Sequence, residues 1–316
     1  MDPILNAQHH DALSHASLHA RRGDVAVLKA SGARVRDYLQ GQLTQDMHLV
    51  SPEQAIYTAV LTPQGKPVGE LIVAEGRDDE LVLLTWKSRA EALVERLRRF
   101  SIGYTIRLGV VADMGVHSIQ GAGAGEMLAA AGLPDPGTGH LRTALDDAGL
   151  LVLAMPEAAA CGYWLVATHA QLDALALDAD RAADESVLRS ARILRGHPVF
   201  GVDWDESVHP LNANLDAYHG VSFDKGCYVG QEVTSRMNWR GGVKYRLYRL
   251  RLSALPQALP AAIHTSAAIG SVTSAMQDSD GSVHAIGRLP IRVVEQGAAL
   301  HTQDGIDIEL IEPCHA

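Results

Sequence analysis

The residues with the clearest chemical potential lie in one segment, 223–232, which reads FDKGCYVGQE. Cys227 stands two residues after Lys225, has glycines on either side that allow close backbone approach, and precedes a helix-compatible stretch. A lysine ammonium and the N-terminus of a helix both favour the thiolate, which is the nucleophilic and metal-ligating form of cysteine. The segment therefore predicts a reactive thiol at Cys227.

A structural interpretation of the same segment stays open, in which Cys227 is a small buried apolar residue and Lys225 is a solvated charge. The other cysteines, Cys161 and Cys314, lack CxxC spacing, and three cysteines do not suit a disulfide framework. Cys161 precedes an apolar strand, and Cys314 lies beside His315 near the end of the chain, where we expect fraying. Reduced thiols in a cytosolic compartment are the natural prediction.

Two other clusters invite a functional interpretation. Four histidines near the start, at positions 9, 10, 15 and 19, include one i, i+4 pair that can chelate a metal if helical, whereas mobile polar termini are common. The glycines of GAGAGE at 121–126 fail the dinucleotide fingerprint, because Glu126 stands where the third glycine is required. That stretch is better interpreted as a loop or a helix start.

The regular elements of the chain begin with a strand after Asp24 and a helix whose apolar residues recur at Val35, Leu39 and Leu43. Strands at 55–61 and 68–74 flank a Pro- and Gly-rich turn, which predicts a hairpin. A strand at 80–86 follows, with Ser88 as the N-cap of the next helix. Residues 24–112 therefore predict an antiparallel sheet carrying helices, without parallel βαβ units.

The second half of the chain first repeats this alternation of strands and helices and then contains only short strands. After a loop at 132–139, two apolar strands and a helix starting near Asp184 resemble the first half. Beyond Gly241 and Gly242 the chain consists of short strands, which predict a small β-barrel. We predict an α+β fold with a body over 1–240, made of two α+β lobes, and a C-terminal β-barrel domain over 241–316.

The string KGCYVGQE at 225–232 resembles the signature of the YgfZ family, folate-binding proteins related to the glycine cleavage T-protein that act in iron-sulfur cluster assembly, and of their mitochondrial counterparts. Further stretches resemble that family in the same order along the chain: 38–46 (YLQGQLTQD), 61–66 (LTPQGK), 192–201 and 214–223. The likeness covers roughly residues 20 to 312, so accidental matching is improbable.

This resemblance implies three lobes in a T-protein-like ring around a central cavity for tetrahydrofolate or a derivative. It implies that Cys227 and Lys225 carry the chemistry, and it offers Gln231, Arg236, Tyr228, Gln40 and Asp46 as cofactor-binding candidates. Gln40 and Asp46 have an equal alternative as solvated or capping residues. We expect the 38–46 and 225–236 segments to border one cavity with Cys227 at its edge, and we expect no stably bound metal.

Three positions depart from the T-protein pattern. Gly69 and Glu70 replace an acidic pair, so that one acid is lost and Glu70 is expected to face solvent. Leu194 replaces an acid that contacts the pterin, and leucine accepts no hydrogen bond. Asn212 stands where related chains carry a glutamate. These changes argue against an aminomethyltransferase, because a lost acid removes a proton-transfer route worth about a hundredfold in rate.

Three hypotheses about function follow. The leading one is an accessory factor that binds tetrahydrofolate and assembles or repairs iron-sulfur clusters in target enzymes. In it, Cys227 acts with iron-sulfur carrier or scaffold proteins and client apoenzymes, because a single thiolate does not hold a cluster. The alternatives are a folate-dependent aminomethyl or one-carbon transferase, and a binding module without chemistry.

Charge and hydropathy narrow the partners and the location. The chain carries 27 Lys and Arg against 37 Asp and Glu, a net charge of -10, which supplies no field to attract nucleic acid or an anionic membrane. No apolar run approaches the length of a membrane span, and the N-terminus lacks a signal-peptide pattern. We therefore expect a cytoplasmic protein with no nucleic-acid and no membrane partner.

Overall fold

The structure, a computed structural model, describes residues 7–137, 139–155 and 162–315. The helices are α1 Ala7–His15, α2 Val35–Gln40, α3 Lys87–Arg99, α4 Ala124–Ala130, α5 His169–Asp173, α6 Glu185–Arg195, α7 Gln231–Trp239 and α8 Ile291–Glu295. The strands of the body are β1 Leu18–Arg22, β2 Val25–Ser31, β3 Ile56–Leu61, β4 Pro67–Glu75, β5 Leu81–Trp86, β6 Arg107–Val110, β7 Met114–Gln120, β8 Thr143–Leu145, β9 Leu151–Ala154 and β10 Gly162–Thr168. Those of the C-terminal region are β11 Tyr245–Leu252, β12 Ala261–His264, β13 Ala268–Gln277, β14 Val283–Pro290, β15 Leu300–Thr302 and β16 Asp307–Pro313.

The first sheet has the strand order β3-β4-β5-β2-β6, and all its neighbours are antiparallel. The hairpin predicted at 55–74 is present as β3 and β4, with Gly65 at a positive φ in the turn. One face of the sheet packs against α2 and α3 in a core that includes Leu39, Leu71 and Leu93. Because a strand alternates its side chains, the other face is left for a second layer.

The second sheet has the order β1-β7-β10-β9-β8, again antiparallel. Its outer face packs against α4 and α5 in a core that contains Ile119, Leu165 and Leu172. Strand β1 was not predicted. It brings His19 into this sheet, where the ring hydrogen-bonds that of His117 across 2.9 Å. His15 ends α1, so the i, i+4 pair is not helical, and the described residues contain no cluster of three metal-ligating side chains.

The inner faces of the two sheets share one core. It joins Tyr57 and Leu84 of the first sheet to Leu153 and Trp164 of the second, and Leu188 of α6 packs into it. Helix α6 begins after Asp184, close to the predicted start, and the Asp184 carboxylate accepts from the Ser186 N–H as the N-cap. The central cavity described below lies within this shared core.

The last six strands form a closed antiparallel barrel, in the order β11-β14-β13-β12-β15-β16. Its interior is apolar and includes Leu250, Ile263 and Val272. The fold is thus the predicted α+β arrangement with a C-terminal barrel. Among the described residues, no helix is long and apolar enough to span a membrane.

Two local predictions were wrong. Trp86 is the N-cap of α3, and Ser88 lies inside the first turn. Cys314 is not frayed: it is fully buried, its N–H donates to the Leu247 carbonyl at 2.9 Å, and its own carbonyl accepts from Asn214 Nδ2 at 2.7 Å. Cys314 is fixed because it packs in the core that joins the barrel to the body. Cys161 lies outside the described residues.

Candidate functional site

The cysteine loop, residues 222–230, presents its thiol to solvent. Cys227 is exposed, and α7 begins four residues later, after Gly230. Gly230 has a φ of 86°, and a Cβ there would lie 2.8 Å from the Thr62 carbonyl oxygen, so only glycine fits this approach to the β3–β4 turn. The end of the loop is therefore held against the β3–β4 turn while the thiol stays accessible.

Lys225 anchors the loop from beneath. Its side chain is buried, and its ammonium donates to the carbonyls of Leu43 at 3.0 Å and Gln45 at 2.8 Å. Burial lowers the pKa of Lys225 to about 8, while Asp46 acts in the opposite direction. These contacts direct the ammonium toward the 38–46 segment, which we call the first motif. They assign Lys225 a structural role, and its chemical partnership with Cys227 stays a prediction.

The two motifs that the sequence separates by almost two hundred residues lie in contact. The Val229 N–H donates to the Gly41 carbonyl at 3.1 Å, and the Ser222 N–H donates to the Thr44 carbonyl at 2.9 Å. Within the first motif, Gln40 Nε2 donates to Asp46 Oδ1 at 2.9 Å, and Asp46 caps the next turn. Gln40 and Asp46 thus shape the segment that receives the cysteine loop.

The remaining sequence candidates surround the start of α7. Tyr228 is buried, and burial raises its pKa to about 12. Gln231 is half-buried and its amide faces the Gly226 carbonyl at 3.5 Å. Arg236 is exposed and pairs with Glu232 at 2.6 Å. Their binding of a cofactor stays a prediction.

A separate central cavity lies between the two sheets and has two chambers. The linings of the inner and the outer chamber share Tyr57 and His140. The inner chamber is lined mainly by apolar and aromatic side chains: Tyr57, Leu71, Ile72, Leu84, Trp86, Leu141, Met155 and Trp164, with Glu70, Thr85, His140 and His197. The outer chamber reaches Gln45 of the first motif and His219, and the lining of neither chamber includes residues 225–236.

Glu70 is the acid of the inner chamber, and the expectation that it faces solvent was wrong. It is only 4% exposed. Tyr57 Oη and Trp86 Nε1 donate to its carboxylate, as does the Phe200 N–H at 3.2 Å. Burial raises the pKa of Glu70 to about 7, against the effect of these donors. A carboxyl group that is half-protonated near neutral pH can both donate and accept hydrogen bonds.

Two histidines that line the inner chamber have ring nitrogens without a hydrogen-bond partner among the described residues. Neither nitrogen of His140 nor Nδ1 of His197 makes a hydrogen bond within the described part of the chain, although all three atoms are buried. Burial lowers the pKa of His140 to about 4 and that of His197 to about 3, so both rings are neutral at pH 7. Buried polar atoms without partners are uncommon, and both histidines belong to the lining of the inner chamber.

The cavity therefore suits an uncharged, flat, hydrogen-bonding ligand. Trp86 and Trp164 meet edge to face at 6.4 Å and provide aromatic walls. Glu70, His140 and His197 supply the polar groups that fix an orientation. A pterin ring has this chemistry, so the residues present fit a tetrahydrofolate-type group.

The three departures from the T-protein pattern have structural reasons. A Cβ on Gly69 would lie 3.0 Å from Leu93 Cδ1, so α3 occupies the space of the missing acid. Leu194 packs against the central core. Asn212 Oδ1 accepts from the N–H groups of Lys244 and Tyr245 at 3.2 and 3.3 Å, which fixes the start of the barrel.

Sequence reasoning missed Glu70, His140 and His197 as site residues. One signal was available for Glu70: it lies in the middle of an apolar strand whose other acid, Glu75, is its last residue, and the period of two places Glu70 on the same face as Ile72. No local pattern marks His140 or His197, because each reaches the chamber from an irregular segment.

Comparison with known proteins agrees with this architecture. No family model matches the chain. The tRNA-modifying protein YgfZ of Yersinia enterocolitica is 27% identical over 272 residues, which cover 82% of this chain and 80% of that protein. The YgfZ protein of Sodalis glossinidius is 28% identical over 269 residues, with 82% and 81% covered. This chain is similar to the YgfZ proteins over four fifths of its length. The resemblance predicted from the motif is confirmed.

The YgfZ relationship extends to the fold of the T-protein. The glycine cleavage system aminomethyltransferase T of Bartonella henselae superposes with a TM-score of 0.84 over 98% of this chain and 88% of its own, at 18% identity. That similarity establishes the T-protein-like fold. The superposition covers nearly the whole chain and so includes the closed C-terminal barrel.

Proposed function

We propose that this protein binds tetrahydrofolate or a derivative in the central cavity and supports assembly or repair of iron-sulfur clusters through Cys227. The observation that carries the proposal is the inner chamber, where a buried carboxyl group and unpartnered neutral imidazoles lie between aromatic walls. Glu70 would accept from the amino group of the pterin, His140 and His197 would pair with its ring nitrogens or carbonyl, and Trp86 and Trp164 would exclude water.

The cysteine loop supplies the second half of the proposal. A stable cluster normally needs more sulfur ligands than one, so an exposed single thiol acts together with the thiolates of a partner. The partners we propose are iron-sulfur carrier or scaffold proteins and client apoenzymes. The cluster passes between proteins as cargo, and Cys227 contributes one transient ligand.

The names of the relatives refer to tRNA modification, and we assign that reaction to a client enzyme of this protein. A chain of net charge -10 does not attract an RNA backbone, which proteins hold through positive charge. We therefore infer that this protein serves an iron-sulfur enzyme that modifies tRNA and does not itself bind the tRNA.

A deletion strain tests the proposal. It is complemented with the wild type, with Cys227→Ser or with Glu70→Gln, and the activities of an aconitase-type and a radical iron-sulfur enzyme are measured. We expect Cys227→Ser to fail while its purified form still binds tetrahydrofolate, detected by quenching of tryptophan fluorescence. Full rescue by Cys227→Ser would overturn the thiol role, and absence of tetrahydrofolate binding to the wild type would overturn the folate role.

Glu70 also favours a second candidate, a folate-dependent aminomethyl or one-carbon transferase. An acid whose pKa is raised to about 7 matches the working range of a general acid or base. A transfer assay with tetrahydrofolate and an aminomethyl donor separates the two. Turnover that Glu70→Gln abolishes and Cys227→Ser leaves intact would support the transferase.

A further inference from the structure

Helix α7 presents an exposed stripe that the proposed function does not use. Its members are Glu232, Arg236, Trp239 and Arg240, which recur at i, i+4, i+7 and i+8 and therefore share one helical face. Trp239 is 74% exposed, the next most exposed large aromatic side chain being Phe100 at 45% in the described residues. A tryptophan held in water beside arginines is the composition of an interface anchor.

A groove adjoins the C-terminal end of this stripe. It lies between the 243–245 segment and the start of α8. Val243, Tyr245, Pro290 and Ile291 line it with apolar surface, and Lys244 and Arg292 stand exposed at its sides. We call the stripe and the groove together the α7 surface.

The charge of the α7 surface is opposite to that of the whole chain. It carries four cations, Arg236, Arg240, Lys244 and Arg292, against the two carboxylates Glu232 and Glu295. The chain as a whole has a net charge of -10. A local positive region on an acidic protein selects a partner segment that is itself negative.

The α7 surface lies close enough to Cys227 to share one interface with it. Helix α7 has nine residues, which at about 1.5 Å per residue places Trp239 roughly 13 Å along the axis from the start of the helix. A standard interface covers about 800 Å² of each partner, a patch of roughly 30 Å across. A partner anchored at Trp239 can therefore also reach the cysteine loop.

We infer that the α7 surface docks an acidic amphipathic segment of the protein partner whose thiolates meet Cys227. The apolar groove and Trp239 take the hydrophobic face of the segment, and the four cations take its carboxylates. An RNA strand fits less well, because its backbone needs a basic track and the groove offers apolar walls. From the proposed function this inference uses only the meeting of Cys227 with a protein partner.

Fluorescence anisotropy on the full chain tests the inference. The probe is a fluorescein-labelled helical peptide of sixteen residues with leucine on one face and glutamate on the other; a twin peptide carries lysine in place of glutamate. We expect the acidic peptide to bind, the twin not to bind, and Arg240→Glu with Lys244→Glu to weaken binding at least tenfold. Trp239→Ala should weaken it severalfold. Arg99→Glu, an exposed arginine at the end of α3, is the matched control and should change nothing.

Each contrary result has a distinct meaning. Equal affinity of the wild type and the double variant would overturn the docking surface, and so would tighter binding of a twenty-nucleotide oligouridylate that the double variant abolishes. Hydrogen exchange on the wild type should show protection at 231–245 and 290–295 on addition of the peptide, which checks the site without relying on a variant. Cys227→Ser should bind the peptide with the affinity of the wild type. The docking surface can therefore be tested even if the proposed role of the thiol is wrong.

Discussion

The cysteine loop and the central cavity differ in how the chain builds them. The loop is one continuous segment that is recognisable from eight letters, and it displays its thiol at the surface. The cavity gathers side chains from 57 to 197, and its polar groups are buried. A local motif can therefore mark the exposed site of the molecule, whereas the enclosed site arises only when two sheets face each other.

The two regions also treat charge differently. In the cavity, burial moves ionisable groups toward their neutral forms, raising the pKa of Glu70 to about 7 and lowering that of His140 to about 4. In the loop, burial also lowers the pKa of Lys225, to about 8, but two backbone carbonyls accept hydrogen bonds from its ammonium. The cavity is thus suited to neutral ligands, and the loop is suited to contact with another protein.

Thiol labelling gives the largest expected contrast. We predict that iodoacetamide modifies Cys227 in the native protein at least a hundredfold faster than Cys314, because Cys227 is exposed and Cys314 is fully buried. Burial also raises the pKa of Cys314, which lowers its thiolate fraction. Mass spectrometry of tryptic peptides over time measures both rates. Equal rates before unfolding would contradict the burial of Cys314.

Loss of the cavity acid should weaken folate binding. We predict that Glu70→Gln raises the Kd for tetrahydrofolate about tenfold to a hundredfold, because a hydrogen bond to a charged group contributes about 1.5–3 kcal/mol. Isothermal titration at pH 8 measures the effect. Glu75→Gln, on the same strand but paired with Arg36, is the control. An unchanged Kd in Glu70→Gln would remove Glu70 from the site.

The sequence predicted elements better than it predicted sites. The hairpin, the start of α6 near Asp184 and the barrel followed from periodicity and turn residues, because these depend on neighbours along the chain. Strand β1 was missed because its partner β7 lies almost a hundred residues away. Glu70 was misplaced for a similar reason: its burial depends on a second sheet that no local pattern announces.

A substitution at Lys225 can show whether this lysine stabilises the loop or takes part in the chemistry of Cys227. We predict that Lys225→Met lowers the free energy of unfolding by about 3 kcal/mol, since it removes two charge-assisted hydrogen bonds that hold the loop on the 43–45 segment. Urea unfolding measures the change. Lys66→Met, at an exposed lysine in the β3–β4 turn, should cost less than about 0.5 kcal/mol. A stable Lys225→Met protein that nevertheless fails to complement the deletion strain would indicate a chemical role.

The smallest expected effect is the pH dependence that Glu70 gives to stability. Its pKa is about 7 in the folded protein against an ordinary value of 4.5, so the folded state keeps a proton that the unfolded state has lost between these values. The resulting stabilisation is present below pH 4.5, falls as the pH rises and is gone above pH 7. It amounts to about 2 kcal/mol between pH 5 and pH 8.

His140 and His197 oppose this trend, because their lowered pKa values make the folded protein lose stability as the pH falls. Both histidines are still present in Glu70→Gln, so the difference between the two proteins isolates the carboxyl group. We predict that the wild type loses about 2 kcal/mol relative to Glu70→Gln between pH 5 and pH 8 in urea unfolding. Parallel pH profiles would mean that Glu70 is ionised throughout, and the cavity would then be a site for a cationic ligand.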